Sequence, residues 1–167
     1  MTLEFRIYLA NLSKYAEGEL VGKWVDLPCS DLAAEFEAIG VVAGTPYEES
    51  FITDYENNIG YEVGEYESVE ALNELAERLE EVSEQGDLEM LAAYIESEGG
   101  SLETALDNYE NAIFYPNMEL EDVAYEIIEE CYDLPEFALR YFDYAAFARD
   151  LHFDGYNETS HGVICVQ

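Results

Sequence analysis

Basic residues are scarce in this chain. Its 167 residues include six Lys and Arg but 39 Asp and Glu, so the formal net charge at neutral pH is −33. Proteins that bind nucleic acid contact its phosphates with clustered Lys and Arg side chains. The composition therefore argues against direct nucleic-acid binding, and a partner of so acidic a surface should itself be basic.

Cysteines and long apolar runs are few as well. Cys29, Cys131 and Cys165 are far apart, odd in number and free of any CxxC motif. This usage predicts small buried side chains in a reducing compartment, not a disulfide framework.

No apolar run is long enough to span a membrane, and the N-terminus contains Glu4 and no small-residue cleavage site. We expect no membrane segment and a cytoplasmic location.

Motifs for catalysis and metal binding are missing. The chain has no GxSxG, HExxH, GxGxxG or GxxxxGK[ST] motif, and among 39 carboxylates a pair at catalytic spacing arises by chance. His152 and His161 lack the ligand spacing of a zinc site. Residues from Asp54 onward partly match a calcium loop, but Ile59 occupies the position that requires glycine. We expect no enzyme activity, no cofactor and no metal.

The apolar content is nevertheless that of a folded protein. Hydrophobic residues make up 49% and aromatic residues 14% of the chain, too much for a disordered polypeptide. In the N-terminal third, apolar and polar residues alternate over residues 3–12, which predicts a strand. A glycine-punctuated loop at 14–22 follows, and Ser30 should cap a short helix over 31–40. Further strands are predicted over three segments: 23–27, 49–55 and 61–66.

The pattern changes to helical spacing after Ser68. Apolar residues recur every third or fourth position up to Gly86, where the helix should end. Two shorter helices should follow up to about residue 110, the second capped by Ser101. Opposite the apolar stripe of the first helix, five glutamates fall on one line, each about 5 Å from the next along the axis. They are Glu70, Glu74, Glu77, Glu81 and Glu84.

A second acidic line occurs on the helix predicted from Glu119, which follows a short strand at 112–116. No Lys or Arg occurs from Leu120 through Leu139, so nothing nearby in sequence neutralises it. Like charges one turn apart destabilise a helix by a few tenths of a kcal/mol per pair. We therefore interpret both lines as a binding surface that resembles a strand of phosphates. The second line consists of Glu119, Asp122, Glu126, Glu129, Glu130 and Asp133.

With a further helix over 144–151 and a last strand over 162–166, the patterns predict an α+β protein of three small subdomains. These are an antiparallel sheet with a helix (1–66), a helical subdomain (67–110) and an α+β subdomain (111–167). The 33 net charges would match about 55 Å of duplex DNA, which carries one charge per roughly 1.7 Å. The alternatives are a solubilising or salt-adapted surface, and an acidic adaptor or mimic directed at another basic DNA-binding protein.

Two motifs give the chain a resemblance to a known family. Residues 7–28 contain a strand followed by a KYxxGxxxGxW pattern, and residues 141–151 contain a DYxAxxRDL pattern. On these motifs the chain resembles the antirestriction protein ArdA family over nearly its full length, with Ala148 at a position where many relatives have glycine. The matching residues are Lys14, Tyr15, Gly18, Gly22 and Trp24, then Asp143, Tyr144, Ala146, Arg149, Asp150 and Leu151.

The resemblance implies an elongated dimer that is encoded on mobile elements and mimics DNA. Such a protein would occupy the DNA-binding groove of type I restriction-modification enzymes, with dimerisation through its C-terminal part. Apolar residues near the second motif are candidates either for this subunit contact or for ordinary core. They are Tyr132, Leu134, Phe137 and Tyr141.

Overall fold

The computed structural model describes residues 1–166 and divides into two compact units, Met1–Leu88 and the chain from Glu89 onward. Each unit contains one three-stranded antiparallel sheet together with helices. The predicted α+β class is therefore confirmed. The three-part division at residues 66 and 110 stays a prediction, as does the elongated shape.

The sheet of the first unit has its earliest strand in the centre. Strand β1 (Phe5–Asn11) pairs with β2 (Gly22–Asp26) on one side and β3 (Ser50–Asn57) on the other. The alternation along β1 leaves Phe5, Ile7 and Leu9 buried on one face, which is the period-two pattern that predicted the strand. Two short helices connect the strands, α1 (Leu12–Ala16) and α2 (Leu32–Ala38).

Helix α3 (Val69–Gln85) completes the first unit and matches its prediction closely. Ser68 caps it by accepting a hydrogen bond from the N–H of Ala71 (3.2 Å), and Gly86 ends it with a φ of +90°. Asn73, itself buried, joins the helix to the segment after β2: its Oδ1 accepts from the N–H of Cys29 (2.6 Å) and its Nδ2 donates to the Cys29 carbonyl (3.1 Å). The buried apolar stripe is Val69, Leu72, Ala76, Leu79 and Val82.

The second unit has a sheet of strand order β4-β6-β5 and a core between helices and sheet. Leu102, Ala105 and Leu106 of its second helix are buried, and Ser101 caps that helix as predicted. The core cluster next to the sheet comprises Val123, Ala124, Ala148, Leu151 and Val163. The elements are α4 (Leu88–Glu98), α5 (Leu102–Asn108), a 3-10 turn (Tyr109–Asn111), β4 (Ile113–Pro116), α6 (Leu120–Cys131), α7 (Glu136–Leu139), α8 (Tyr144–Phe153), β5 (Tyr156–Thr159) and β6 (Gly162–Cys165).

Two predictions about the N-terminal turns were wrong. The expected loop at 14–22 begins inside α1, because the buried Asn11 accepts a hydrogen bond from the N–H of Lys14 (3.0 Å) and caps a helical turn. The cap of α2 is Asp31, not Ser30: its Oδ1 accepts from the N–H of Ala34 (3.0 Å). A shift of one residue is ordinary where two capping residues are adjacent.

Other corrections concern strands and cysteines. Residues 61–66 form no strand, although the Glu65 carbonyl accepts one hydrogen bond from Ile52 of β3 (2.8 Å). Strand β5 was not predicted. Of the three cysteines, Cys165 is buried as expected, whereas Cys29 is half-buried and Cys131 is exposed at the end of α6. Across residues 1–166, no helix is both long and apolar enough to cross a membrane.

Candidate interaction surface

The first acidic line, which we call the α3 row, lies on the solvent side of α3. Its members Glu70, Glu74, Glu77, Glu81 and Glu84 are all exposed. The stripe opposite is closed to solvent, since Leu72 and Leu79 have no accessible surface. Burial of the apolar stripe therefore fixes the direction in which the five carboxylates point.

The charge distribution along α3 is unfavourable for the helix itself. Carboxylates near a helix N-terminus are stabilising, but Glu81 and Glu84 lie near the C-terminus, where the helix dipole favours cations. The last turn of α3 contains no basic residue. The C-terminal part of the row thus lowers the local stability of the helix.

The second line, the α6 row, has a structured N-terminal end. Glu119 and Asp122 form a capping box in which the N–H of Glu119 donates to Asp122 Oδ2 (3.1 Å). Glu158 of β5 accepts a further hydrogen bond from the N–H of Leu120 (2.7 Å). The carboxylates of Glu119, Asp122 and Glu158 accept hydrogen bonds from N–H groups that have no partner within the helix, and their negative charge interacts favourably with the helix dipole. Both row members remain exposed.

The C-terminal end of the α6 row resembles that of α3. Glu129 and Glu130 are exposed in the last turn of α6, which contains no basic residue, and Glu126 is half-buried. Asp133 is exposed but lies two residues beyond the end of the helix at Cys131. These charges repel one another and oppose the helix dipole. At its C-terminal end, each row therefore presents carboxylates to solvent where they destabilise their own helix.

Four of the protein's six Lys and Arg side chains form ion pairs that do not neutralise the two acidic rows. Surface pairs of this kind contribute at most about 1 kcal/mol each, and the carboxylates of these five pairs all lie outside the two rows. The pairs are Arg6 with Glu56, Lys14 with Glu17 and Glu19, Lys23 with Glu35, and Arg140 with Glu136.

The residues of the N-terminal motif have packing roles. The ammonium of Lys14 lies 4.6 Å from the ring centroid of Tyr47, and electrostatic interaction with that residue is the largest factor that raises the pKa of Lys14. Tyr15 packs on Phe51 with ring centroids 5.2 Å apart. Gly22 permits a close approach between strands, because a Cβ there would lie 2.6 Å from the Leu9 carbonyl oxygen.

The C-terminal motif builds α8 and seats it against α6. Asp143 caps α8 by accepting from the N–H of Ala146 (2.9 Å), and the ring of Tyr144 stacks on Tyr125 of α6 with centroids 3.7 Å apart. Ala148 and Leu151 are buried in the core. The motif thus fixes the helix that supports the α6 row.

A family model described as antirestriction protein (ArdA) matches residues 7–165. The chain belongs to the ArdA antirestriction family. The match begins in β1 and ends at the last residue of β6, so it includes both acidic rows and both motifs. No curated protein matches the chain. ArdA proteins are inhibitors that act against restriction-modification enzymes, and this membership gives the chain an antirestriction function.

Near the second motif of this ArdA protein, several large apolar side chains face solvent. Tyr132, Phe137 and Tyr141 are 54%, 73% and 77% exposed, and Leu134 is half-buried. Phe137 and Tyr141 contact each other with ring centroids 5.2 Å apart. The three exposed aromatics are therefore not core residues of their own unit. Their part in a subunit contact stays a prediction.

Sequence patterns did not reveal two further polar arrangements of this ArdA chain. Ser160, in the β5–β6 turn, donates to Glu96 of α4, and burial of the Tyr156 ring beside Tyr115 raises the pKa of Tyr156 to about 12. Both connect residues more than 40 positions apart, so only tertiary structure reveals them. Among residues 1–166 no group of three or more His, Cys, Asp or Glu side chains is arranged to hold a metal ion.

Proposed function

We propose that this protein is a DNA mimic that inhibits type I restriction-modification enzymes by occupying their DNA-binding groove. Inhibition is stoichiometric competition in which no covalent bond is made or broken. The observation that carries the proposal is the pair of largely exposed carboxylate rows on α3 and α6, whose C-terminal members lie where they oppose the dipole of their own helix.

The spacing of the charges supports mimicry of a phosphate backbone. The α3 row extends over fourteen residue steps, or about 20 Å of helix axis. The five carboxylates of the α6 row from Glu119 to Glu130 extend over eleven steps, or about 16 Å, and Asp133 follows beyond the end of the helix. The α3 row therefore presents one carboxylate per ~5 Å and the α6 row one per ~4 Å. A single DNA strand carries one phosphate per about 3.4 Å of axis. Lys and Arg side chains that bind successive phosphates would find carboxylates at comparable intervals.

Electrostatics would also govern the rate of association. A net charge of −33 attracts a basic groove at long range and accelerates encounter, an effect that salt suppresses. When carboxylates replace phosphates, counterions are released from both surfaces, so the affinity should fall steeply with ionic strength.

The proposal includes a homodimer formed through the C-terminal part. The exposed aromatics Tyr132, Phe137 and Tyr141 supply apolar surface of the type enriched at subunit contacts. Leu134 lies within the same segment. Two copies would carry charge equivalent to about 110 Å of duplex.

A displacement assay tests the proposed target. A type I restriction-modification enzyme is bound to its labelled recognition duplex and titrated with this protein, beside an unrelated acidic protein of matched charge. We expect displacement near one dimer per DNA-binding unit, and none by the control. Equal displacement by both proteins, or by neither, would overturn the target assignment and favour an acidic adaptor or a mimic of DNA for another basic protein.

A further inference from the structure

The outer face of the N-terminal sheet carries an arrangement that the acidic rows do not involve. This face lies opposite the buried Phe5, Ile7 and Leu9. The strand register sets Arg6 of β1 between Asp26 and Glu56, and Tyr8 between Trp24 and Asp54. The cross-strand set Asp26, Arg6 and Glu56 thus lies beside the set Trp24, Tyr8 and Asp54. We call these six residues the outer face.

The outer face already holds one guanidinium group. The Cζ of Arg6 lies 4.7 Å from the ring centroid of Trp24, and its Nε and one terminal nitrogen donate to Glu56 Oε2 at 2.9 and 2.5 Å. Tyr8 packs against Trp24 in a T-shaped contact with centroids 5.5 Å apart. An indole ring and a carboxylate around a planar cation form the arrangement by which proteins recognise arginine.

The face keeps an excess of negative charge after this internal pairing. Arg6 neutralises Glu56, but neither Asp26 nor Asp54 pairs with a cation within the described part of the chain. The face is open to solvent, with the side chains of Arg6 and Glu56 44% and 58% exposed. A second cation therefore meets two uncompensated carboxylates beside two aromatic rings.

We propose that the outer face binds an arginine side chain of the basic partner. This inference rests on the proposed function, since it adds a contact to the same restriction-modification enzyme. Arginine fits better than lysine, because a guanidinium can stack on Tyr8 or Trp24 while it donates to Asp26 or Asp54. A second copy of this chain is disfavoured as the occupant, because it has only six Lys and Arg residues and four of these already form ion pairs within their own chain.

The single tryptophan makes the face directly measurable. Trp24 is the sole tryptophan of the chain, so its fluorescence and its accessibility to acrylamide report on this face without a label. The protein is titrated with tetra-arginine and tetra-lysine peptides of equal charge. We expect tetra-arginine to change the emission of Trp24 and protect it from quenching at concentrations at least about threefold lower than tetra-lysine.

Matched variants distinguish binding at the outer face from a general effect of the protein's negative charge. Asp26→Asn combined with Asp54→Asn removes the two carboxylates, and asparagine retains the oxygen that accepts from the N–H of Tyr55 (2.8 Å). Glu37→Gln combined with Glu62→Gln makes the same change of net charge at exposed sites elsewhere in the unit. The preference for arginine should disappear in the first double variant and persist in the second. Equal effects of the two peptides on wild-type Trp24, or an unchanged preference in the first variant, would overturn the proposal.

The displacement assay then distinguishes this inference from the proposed function. The Asp26/Asp54 variant should need about threefold or more protein to displace DNA than the Glu37/Glu62 control. If wild-type protein displaces DNA and the two variants are equal, the arginine site is wrong while the mimic stands. If wild-type protein displaces no DNA, the proposed function fails, and the peptide titration still decides the arginine site.

Discussion

Glu96 of α4 accepts hydrogen bonds from both the backbone N–H and the hydroxyl of Ser160, at 3.0 and 2.6 Å. These bonds join the helix to the β5–β6 turn across 64 positions of sequence. The hydrogen bond from the Ser160 hydroxyl is the main cause that lowers the pKa of Glu96 from its ordinary value of 4.5.

This contact should make the stability depend on pH. Because the folded-state pKa of Glu96 is lowered, its stabilising contribution is present above the unfolded value and is lost as the pH falls through the folded pKa. Ser160→Ala should therefore lower the free energy of unfolding at pH 7 by less than about 1 kcal/mol, since the carboxylate is so exposed, and have less effect at pH 3. Thermal denaturation at the two pH values measures both losses. A loss in Ser160→Ala that is equal at both pH values would contradict this assignment.

Asn73 should contribute substantially to the stability of the first unit. Its side chain is buried and makes both hydrogen bonds to the backbone of Cys29. Asn73→Leu would leave the N–H and the carbonyl of Cys29 unpaired, at a loss of about 1–3 kcal/mol in the free energy of unfolding. Urea denaturation measures this loss, with the exposed Asn108→Ala for comparison. At a temperature where the variant is folded, DNA displacement should be unchanged.

The sequence predicted those elements whose signals are local and repeated. Helix α3 has an apolar stripe of five turns between a serine cap and a left-handed glycine, so periodicity and end signals agree. The exposure of the α3 row follows from the same stripe. The sequence did not predict α1, because this helix is only five residues long and its cap is the buried Asn11.

Long-range pairing explains the other misses. Strand β5 is four residues long, and its pairing with β6 (Tyr156 opposite Cys165) gives no periodic signal in so short a segment. Residues 61–66 have strand-like composition, yet Tyr66 packs on Phe51 and the segment forms no ladder. The contact between Arg6 and Trp24 depends on the register of β1 with β2. The alternation of apolar and polar residues in either strand alone does not fix that register.

A single substitution within a row should have little effect on inhibition. The binding free energy of a mimic is spread over many carboxylates, and Glu77 is one of five in its row. Glu77→Gln should change the concentration for half-displacement by less than about threefold, because one exposed ion pair contributes at most about 1 kcal/mol. It should also raise the melting temperature slightly, since it relieves repulsion from Glu74 and Glu81. Loss of inhibition by a folded Glu77→Gln protein would contradict the distributed surface.

The exposed aromatics near the second motif should control the oligomeric state. Phe137→Ser combined with Tyr141→Ser removes two side chains that are more than 70% exposed, so the fold of the monomer should not depend on them. Sedimentation velocity at micromolar concentration should show a dimer for the wild type and a monomer for the double variant. The exposed Tyr66→Ser in the other unit is the control. A monomeric wild type would remove the dimer from the proposal.

Neutralisation of the whole α3 row tests the mimic most directly. One variant replaces Glu70, Glu74, Glu77, Glu81 and Glu84 by glutamine, and a matched variant replaces five exposed glutamates elsewhere: Glu37, Glu49, Glu62, Glu65 and Glu103. Both change the net charge by the same amount, and both are titrated against a type I enzyme bound to its DNA. We predict that the row variant displaces DNA at least about tenfold more weakly than the matched variant while it folds with equal or greater stability. Equal displacement by the two variants would show that net charge alone inhibits, and would contradict a DNA mimic built on the α3 row.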